Sequence, residues 1–193
     1  MKGVTMRCGR AAELETARTI VRKVGAMKTV VVYGSLWGNT AAIARAIAEG
    51  IGFGAQALST AQASSAAISG ADLIVAGSPV IGFSLPSEKM LENIRANPGK
   101  APKPPDLSHP SMRAWLGALP EGHGRAAAFE TRIWWSLGGA TRAIVRGLKR
   151  AGYRPMAKGC QRRFIVKGAY GPLRDGELER ARLWGEDLAR AMK

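Results

Sequence analysis

Residues 29–51 carry a strand pattern directly into a helix pattern. Residues 29–33 (TVVVY) are mostly β-branched and apolar, as in a buried strand, and residues 40–49 place Ile43 and Ile47 on one helical face. The turn between them, GSLWGNT, contains two glycines and no charged residue. A strand that enters a helix through so short a turn is typical of α/β proteins, because parallel strands need a crossover connection that is usually a helix.

The rest of the chain repeats this alternation. Residues 97–110 interrupt it as a Pro-rich extended excursion, because proline lacks a backbone donor for a helix or a sheet. The pattern predicts further strands at residues 56–59, 72–77, 125–129 and 163–167, and helices at 62–69, 86–96, 112–119, 139–151 and 176–192. Five strands alternating with helices predict a doubly wound parallel sheet with helices on both faces, which binds ligands beyond the carboxyl ends of its strands.

Length and composition predict one folded domain. The chain has 193 residues, 46% of them hydrophobic, which suits a single buried core, and we place that domain at residues 27–193. Residues 1–26 are predicted to be an N-terminal leader, either a short amphipathic helix or a flexible tail. No apolar run approaches the roughly 20 residues that span a bilayer. Cys8 and Cys160 fit unpaired thiols of a reducing compartment, so we expect a cytoplasmic protein without a membrane span.

The chain is strongly basic, with a net charge of +15 and a pI near 10.7. Nucleic acid, an anionic membrane surface and an acidic protein all attract such a chain. The lysines and arginines are scattered along the sequence and form no single basic block, which makes nucleic acid the weaker alternative. Two interpretations remain open: solvated helix faces, or recognition of an acidic partner or a phosphate-bearing ligand.

The uncharged turn has the chemistry of an anion site. It lies where a strand ends and a helix begins, so backbone amides and the helix dipole favour a negative group there. Gly34 and Gly38 allow a tight backbone path, and Ser35, Asn39 and Thr40 add side-chain donors. Asn39 or Thr40 is also a candidate helix cap. Neutral donors of this kind hold a phosphate without a lysine, and the turn matches neither the nucleotide-binding P-loop nor the dinucleotide fingerprint.

The turn resembles the phosphate loop of the flavodoxin-like FMN proteins, in which a first strand ends in [ST]-x-[TW]-G-N-T. The version with a central tryptophan looks most like the flavodoxin domains of flavodiiron proteins. This resemblance implies a flavodoxin-like five-stranded parallel sheet of order 2-1-3-4-5 and FMN as the cofactor. The residues that carry it, and that it implies in phosphate binding, are Ser35, Leu36, Trp37, Gly38, Asn39 and Thr40.

Two further loops are similar to those of the same family. Residues 78–84 resemble its GSP-x-x-x-G loop, and residues 130–139 resemble its F-[DE]-T-R turn followed by a glycine-started helix. The resemblance implies that these loops, after the third and fourth strands, clasp the isoalloxazine ring. The residues so implied are Pro79, Val80, Ile81, Gly82 and Phe83 in the first loop, and Glu130, Thr131, Arg132, Trp134, Trp135 and Gly138 in the second.

The aromatic residues of these loops suit a flat ring. Trp134 and Trp135 are the best stacking candidates, and since adjacent residues cannot stack on one face, the other packs on the domain or shields the ring edge. Phe83 either covers the second face or only packs. The remaining aromatic and imidazole candidates are weaker: Trp115 and Trp184 are expected in the core or at a partner contact, and His109 and His123 on the surface, without metal-ligand spacing.

The resemblance implies a redox protein. FMN would serve either electron transfer with a redox partner protein or oxidoreduction of a small-molecule acceptor, and the basic surface favours an acidic or anionic partner. A basic surround is also expected to stabilise added negative charge on a bound flavin and so to raise its reduction potential. The alternative is a basic module of the same fold without flavin, which binds nucleic acid or a partner protein.

Overall fold

The computed structural model describes residues 27–157 and 159–193, and the predicted leader lies outside the described residues. Its strands are β1 (Thr29–Tyr33), β2 (Ala55–Ser59), β3 (Leu73–Pro79), β4 (Arg125–Ile133), β5 (Arg154–Pro155) and β6 (Gln161–Val166). Its helices are α1 (Asn39–Ile51), α2 (Ser65–Ile68), α3 (Glu88–Ala96), α4 (Met112–Gly117), α5 (Thr141–Arg150) and α6 (Glu177–Ala191).

The sheet is parallel throughout, with β1 between β2 and β3 and with β4 beyond β3. This arrangement confirms the predicted order 2-1-3-4-5. The fifth position is shared by two strands, since β5 pairs with the start of β4, at Arg125 and Ala126, and β6 pairs with its remainder from Ala128 to Ile133. The prediction missed β5 because two residues carry no recognisable period.

The strands alternate their side chains between two helical layers, as a sheet buried on both faces requires. Val31 of β1 points to the layer that contains Ile43 of α1 and Trp184 of α6. Val30 points to the opposite layer, where Ile144 of α5 packs beside residues of α2 and α4. Both clusters are almost fully buried, so the sheet is the rigid centre from which the loops project.

The helix predictions are confirmed in number and position; α1 extends beyond the predicted residues 40–49, and the other five helices are shorter than predicted. α3 is the exception in packing, because none of its residues is fully buried. In the terminal helix Leu178 is 49% exposed. No helix in the described part of the chain has the length and apolarity needed to cross a membrane.

Candidate functional site

The turn between β1 and α1 lies at the carboxyl end of β1, where its backbone amides precede the helix. α1 begins at Asn39, and Gly38 precedes it with a left-handed φ of 94° that suits glycine. The Gly38 amide donates to Ser35 Oγ at 3.2 Å. No side chain caps this helix, contrary to the cap expected from Asn39 or Thr40. The first amides of α1 therefore have no helical acceptor and remain available to an anion.

The two side chains expected as caps brace the turn instead. Asn39 Nδ2 donates to the carbonyl oxygen of Gly171 at 2.7 Å. Thr40 Oγ1 lies 2.8 Å from Thr131 Oγ1 in a buried hydroxyl pair, which joins α1 to the end of β4. The start of α1 is therefore fixed by contacts with two separate parts of the chain, β4 and the loop after β6.

The Pro-rich excursion, residues 97–110, packs against the same turn. The Asp106 amide donates to the carbonyl oxygen of Leu36 at 2.7 Å, and His109 Nε2 donates to the carbonyl oxygen of Ser35 at 3.0 Å. His109 was expected on the surface, but these contacts leave it half-buried. Hydrogen bonds from the Ser108 hydroxyl and amide hold the pKa of Asp106 below its ordinary value.

The excursion also brings a cation to the uncharged turn. Lys103 Nζ lies 3.3 Å from the position that a Cβ would take on Gly38. The turn therefore has a positive charge beside it that its own seven residues do not supply. Sequence reasoning missed Lys103 because no local pattern tells where a proline-rich segment will lie.

A cavity of about 340 Å³ opens next to the turn, at the carboxyl ends of β1, β3 and β4. Such a volume lies within the roughly 300–1,000 Å³ of small-molecule and cofactor sites. The structure gathers thirteen of the predicted residues around it: Ser35, Leu36, Trp37, Asn39, Thr40, Pro79, Val80, Ile81, Gly82, Phe83, Thr131, Arg132 and Trp135. It adds six that were not predicted: Ile94, Ile133, Ser136, Val166, Ala169 and Tyr170.

Four predicted residues do not line this cavity: Gly38, Glu130, Trp134 and Gly138. The loop after the fourth strand was predicted to start at Glu130, but β4 continues to Ile133. Glu130 is fully buried and accepts from Arg132 Nη1 at 2.9 Å and from the amides of Ala140 and Thr141 at 2.7 and 3.0 Å. Its carboxylate thus caps α5 and pairs with an arginine, which is a structural arrangement behind the cavity wall.

Arg132 joins that buried pair to the cavity. Its Nη1 donates to Glu130 and also to the carbonyl oxygen of Gly138 at 2.8 Å, and its side chain lines the cavity. Gly138 has a left-handed φ of 70°, and a Cβ there would lie 1.9 Å from the Phe83 carbonyl oxygen. The loops after β3 and β4 therefore touch each other through glycine backbone.

The loop after β3 is a strained tight turn. Ile81 and Ser84 exchange two backbone hydrogen bonds of 3.1 and 3.2 Å across Gly82 and Phe83, which have φ values of 55° and 68°. Phe83 alone among the described non-glycine residues has a positive φ, a conformation that is costly for an aromatic residue and that is enriched at functional sites. The turn presents the Phe83 side chain, 57% exposed, at the cavity mouth.

The tryptophans of the site have different surroundings. Trp135 lines the cavity, whereas its neighbour Trp134 does not and is 73% exposed. Trp37 packs edge-on against Tyr170 at a centroid distance of 4.9 Å, and its indole N–H is buried without an acceptor in the described part of the chain. Trp115 and Trp184 are buried in the two core clusters, as predicted. The cavity is thus bordered by aromatic rings.

The chain resembles solved flavodoxin-like proteins in its fold. A flavodoxin from the domain Archaea has a TM-score of 0.58 and 22% identity, covering 86% of this chain and 99% of its own. Flavodoxin 1 from Bacillus cereus has a TM-score of 0.57 and 16% identity, covering 84% and 97%. The rubredoxin:oxygen oxidoreductase of Desulfovibrio gigas has a TM-score of 0.56 and 17% identity, covering 94% of this chain, which spans 40% of that protein.

These similarities show the flavodoxin-like fold. No protein-family model matches the chain, and no curated protein matches it by sequence.

Proposed function

We propose that this protein binds FMN in the cavity beside the β1–α1 turn and serves as a flavodoxin-like redox protein. The main observation behind the proposal is that a phosphate-binding part and a ring-binding part of such a site lie next to each other. An uncapped helix start with free amides, for a phosphate, adjoins an apolar cavity bordered by Trp135 and Phe83, for a flat ring. The similarity to solved flavodoxins, which have the same sheet order, supports it.

The residues present fit this cofactor in their donor chemistry. The amides at the start of α1 and the Lys103 ammonium beside Gly38 match a phosphate dianion. Trp37, whose indole N–H is buried without an acceptor among the described residues, also lines the cavity. Val80, Ile81 and other apolar residues provide walls against which a flat ring leaves water.

FMN, when bound, supplies the electron-transfer chemistry, and the chain supplies position and electrostatics. Trp135 and Phe83 limit water at the mouth of the cavity, and Arg132, which is paired with the buried Glu130, forms part of its wall. Among the described residues that line the cavity there is no carboxylate, histidine or cysteine. General acid–base catalysis most often uses such groups, and of the other residue types that serve it the lining contains a tyrosine, Tyr170.

Titration of the flavin-free protein with FMN tests the proposal. We expect saturable binding, a yellow complex that releases FMN on denaturation, and a melting temperature that rises with FMN concentration, because a ligand that binds only the folded state stabilises it by about 2.7 kcal/mol at 100 times Kd. The alternative, a flavin-free basic module, predicts colourless protein that ignores FMN and binds polyanions with a steep salt dependence. That second result would refute the proposal.

Variants of the turn locate the site. Asn39→Ala removes the donor to Gly171 that braces the turn, and Thr40→Val removes one hydroxyl of the buried pair with Thr131. We expect both to weaken FMN binding by about tenfold while the protein remains folded. Asn93→Ala, on an exposed position of α3, is the matched control and should leave the affinity unchanged. Unchanged affinity in both turn variants would move the site elsewhere.

A further inference from the structure

A second and larger depression lies beside the candidate cofactor cavity. It encloses about 720 Å³ and is lined by Arg142, Arg162, Arg163 and Arg180, with Phe83 at one edge. Arg142 lies in the first turn of α5, Arg162 and Arg163 lie on β6, and Arg180 lies in the first turn of α6. Elements far apart in sequence thus gather arginines that the sequence shows as scattered. We refer to these four residues as the arginine groove.

The positive charge of the arginine groove is only partly offset. Arg163 Nε lies 3.6 Å from the buried Glu130 carboxylate, which Arg132 already pairs at 2.9 Å. Arg180 pairs with Glu177. Arg142 and Arg162 are exposed and form no ion pair with another described residue. The groove therefore retains a net positive charge that an anionic ligand would neutralise.

Exposed apolar side chains flank the same groove. They are Phe83 (57% exposed), Trp134 (73%), Trp135 (59%) and Leu137 (72%). Phe83 lines both the groove and the cofactor cavity, and the other three line a shallow depression with Arg163. We refer to these four residues as the apolar rim. A cluster of exposed large apolar residues of this kind marks a binding surface more often than an inert one.

We propose that the arginine groove and the apolar rim together form the docking face for an acidic redox partner protein. This inference rests on the proposed function, since it seats the partner one side chain, Phe83, away from the proposed flavin. Tryptophan and arginine are the residues most enriched where protein interfaces concentrate their binding energy. A free small anion would use the arginines but would leave the apolar rim exposed to water, so the combination favours a protein with carboxylates around an apolar centre.

Binding measured without reference to flavin chemistry tests the docking face. The probes are an acidic plant-type ferredoxin and poly-L-glutamate, added to the full chain with and without FMN, and the readout is backbone amide chemical shifts. We expect shifts at β6, at the start of α5 and at residues 134–137, and an affinity that falls as ionic strength rises to about 0.15 M. Absence of binding by both probes at low ionic strength would overturn the proposal.

Paired charge-reversal variants separate the docking face from overall charge. Arg142→Glu with Arg162→Glu should weaken ferredoxin binding at least about tenfold at low salt. Arg45→Glu with Arg150→Glu makes the same change of net charge on exposed positions of α1 and at the far end of α5, and should change the affinity less than about threefold. Equal losses in both pairs would show attraction by net charge alone and would overturn the docking face.

The apolar rim and two competing ligands complete the test. Trp134→Ala should weaken ferredoxin binding about fivefold with an unchanged salt dependence, because it removes apolar contact and no charge.

Tighter binding of inorganic pyrophosphate or single-stranded oligothymidylate than of ferredoxin, with the same chemical-shift changes, would overturn the proposal in favour of a small anion or a nucleic acid. Ferredoxin binding to protein that takes up no FMN would support the docking face while refuting the redox function, so the two failures are distinguishable.

Discussion

Glu130 shows how much a single buried charge can organise around a site. It is fully buried, and its two oxygens accept from Arg132, which is 7% exposed, and from the first amides of α5. A buried charge is tolerated only when it is paired and hydrogen-bonded, and both conditions are met here. The pair fixes Arg132 in the cavity wall and fixes where α5 begins.

Replacing Glu130 by glutamine should therefore destabilise the fold. Glu130→Gln keeps the shape but leaves the Arg132 guanidinium without its ion pair, and the new NH2 group must face either that guanidinium or the amides of Ala140 and Thr141, which are all donors. We expect a loss of about 3 kcal/mol in the free energy of unfolding, measured by urea denaturation. The exposed Glu49→Gln is the control and should change that free energy by less than about 0.5 kcal/mol. Similar losses in both variants would contradict the structural role.

Lys103 makes a prediction about the phosphate end of the proposed ligand. Because its ammonium lies beside Gly38, Lys103→Met should weaken FMN binding about fivefold at low ionic strength. Binding of riboflavin, which lacks the phosphate, should not change. Lys100→Met, an exposed lysine of the same excursion, serves as the matched control. A loss of riboflavin affinity equal to that of FMN would mean that Lys103 acts on the fold of the excursion and not on a phosphate.

At the scale of elements, α1 and α6 pack with their backbones in close contact. A Cβ on Gly50 would lie 1.9 Å from the Arg182 carbonyl oxygen, and one on Gly185 would lie 2.3 Å from that of Ile47. Glycine is required at both positions because backbone carbonyl groups occupy the space where a side chain would begin. This contact ties the first helix of the site to the last helix of the chain.

Adding a methyl group at this contact should separate the helices. We expect Gly50→Ala to lower the free energy of unfolding by about 2–3 kcal/mol, because the close-packed backbones must move apart. Gly117→Ala, at the end of α4, meets no atom within 4 Å and should be neutral or stabilising by about 0.5 kcal/mol, since alanine is the better helix former. Thermal unfolding of both variants checks the prediction, and equal effects would argue against the contact.

The elements also show what sequence periodicity can and cannot predict. Strands β1, β3 and β6 were recognisable from their β-branched apolar residues, and the alternation with helices placed β2 and β4 between them. β4 was predicted to end at Phe129, because Glu130, Thr131 and Arg132 read as polar loop residues. In the structure they continue the strand, since pairing with residues 163–165 of β6 and the Glu130–Arg132 ion pair offset the burial of their polar groups.

The site was predictable to a similar extent. Residues close to a strand end, such as those of the β1–α1 turn, could be placed because the topology brings strand ends together. Ile94, Val166 and Tyr170 could not, because they reach the cavity from α3, from the end of β6 and from the loop after it, and their positions depend on tertiary packing. The arginine groove was missed for the same reason.

At the scale of the whole molecule, the net charge of +15 should act on the proposed cofactor. A positive surround stabilises negative charge added to a flavin, so the two-electron midpoint potential of the FMN-loaded protein should be less negative than that of an acidic flavodoxin measured beside it. The difference should shrink as salt is added, because exposed charges are screened. A redox titration that finds an equal or lower potential would contradict this prediction.

The packing of the excursion against the turn has a consequence for binding kinetics. Hydrogen bonds from Asp106 to Leu36 and from His109 to Ser35 hold the β1–α1 turn, the proposed phosphate site, in one conformation before a ligand binds. A preformed turn needs no conformational change on binding, so FMN association should follow a single concentration-dependent phase in stopped-flow measurements. Affinity differences among variants should then appear mainly in the dissociation rate constant of the nucleotide.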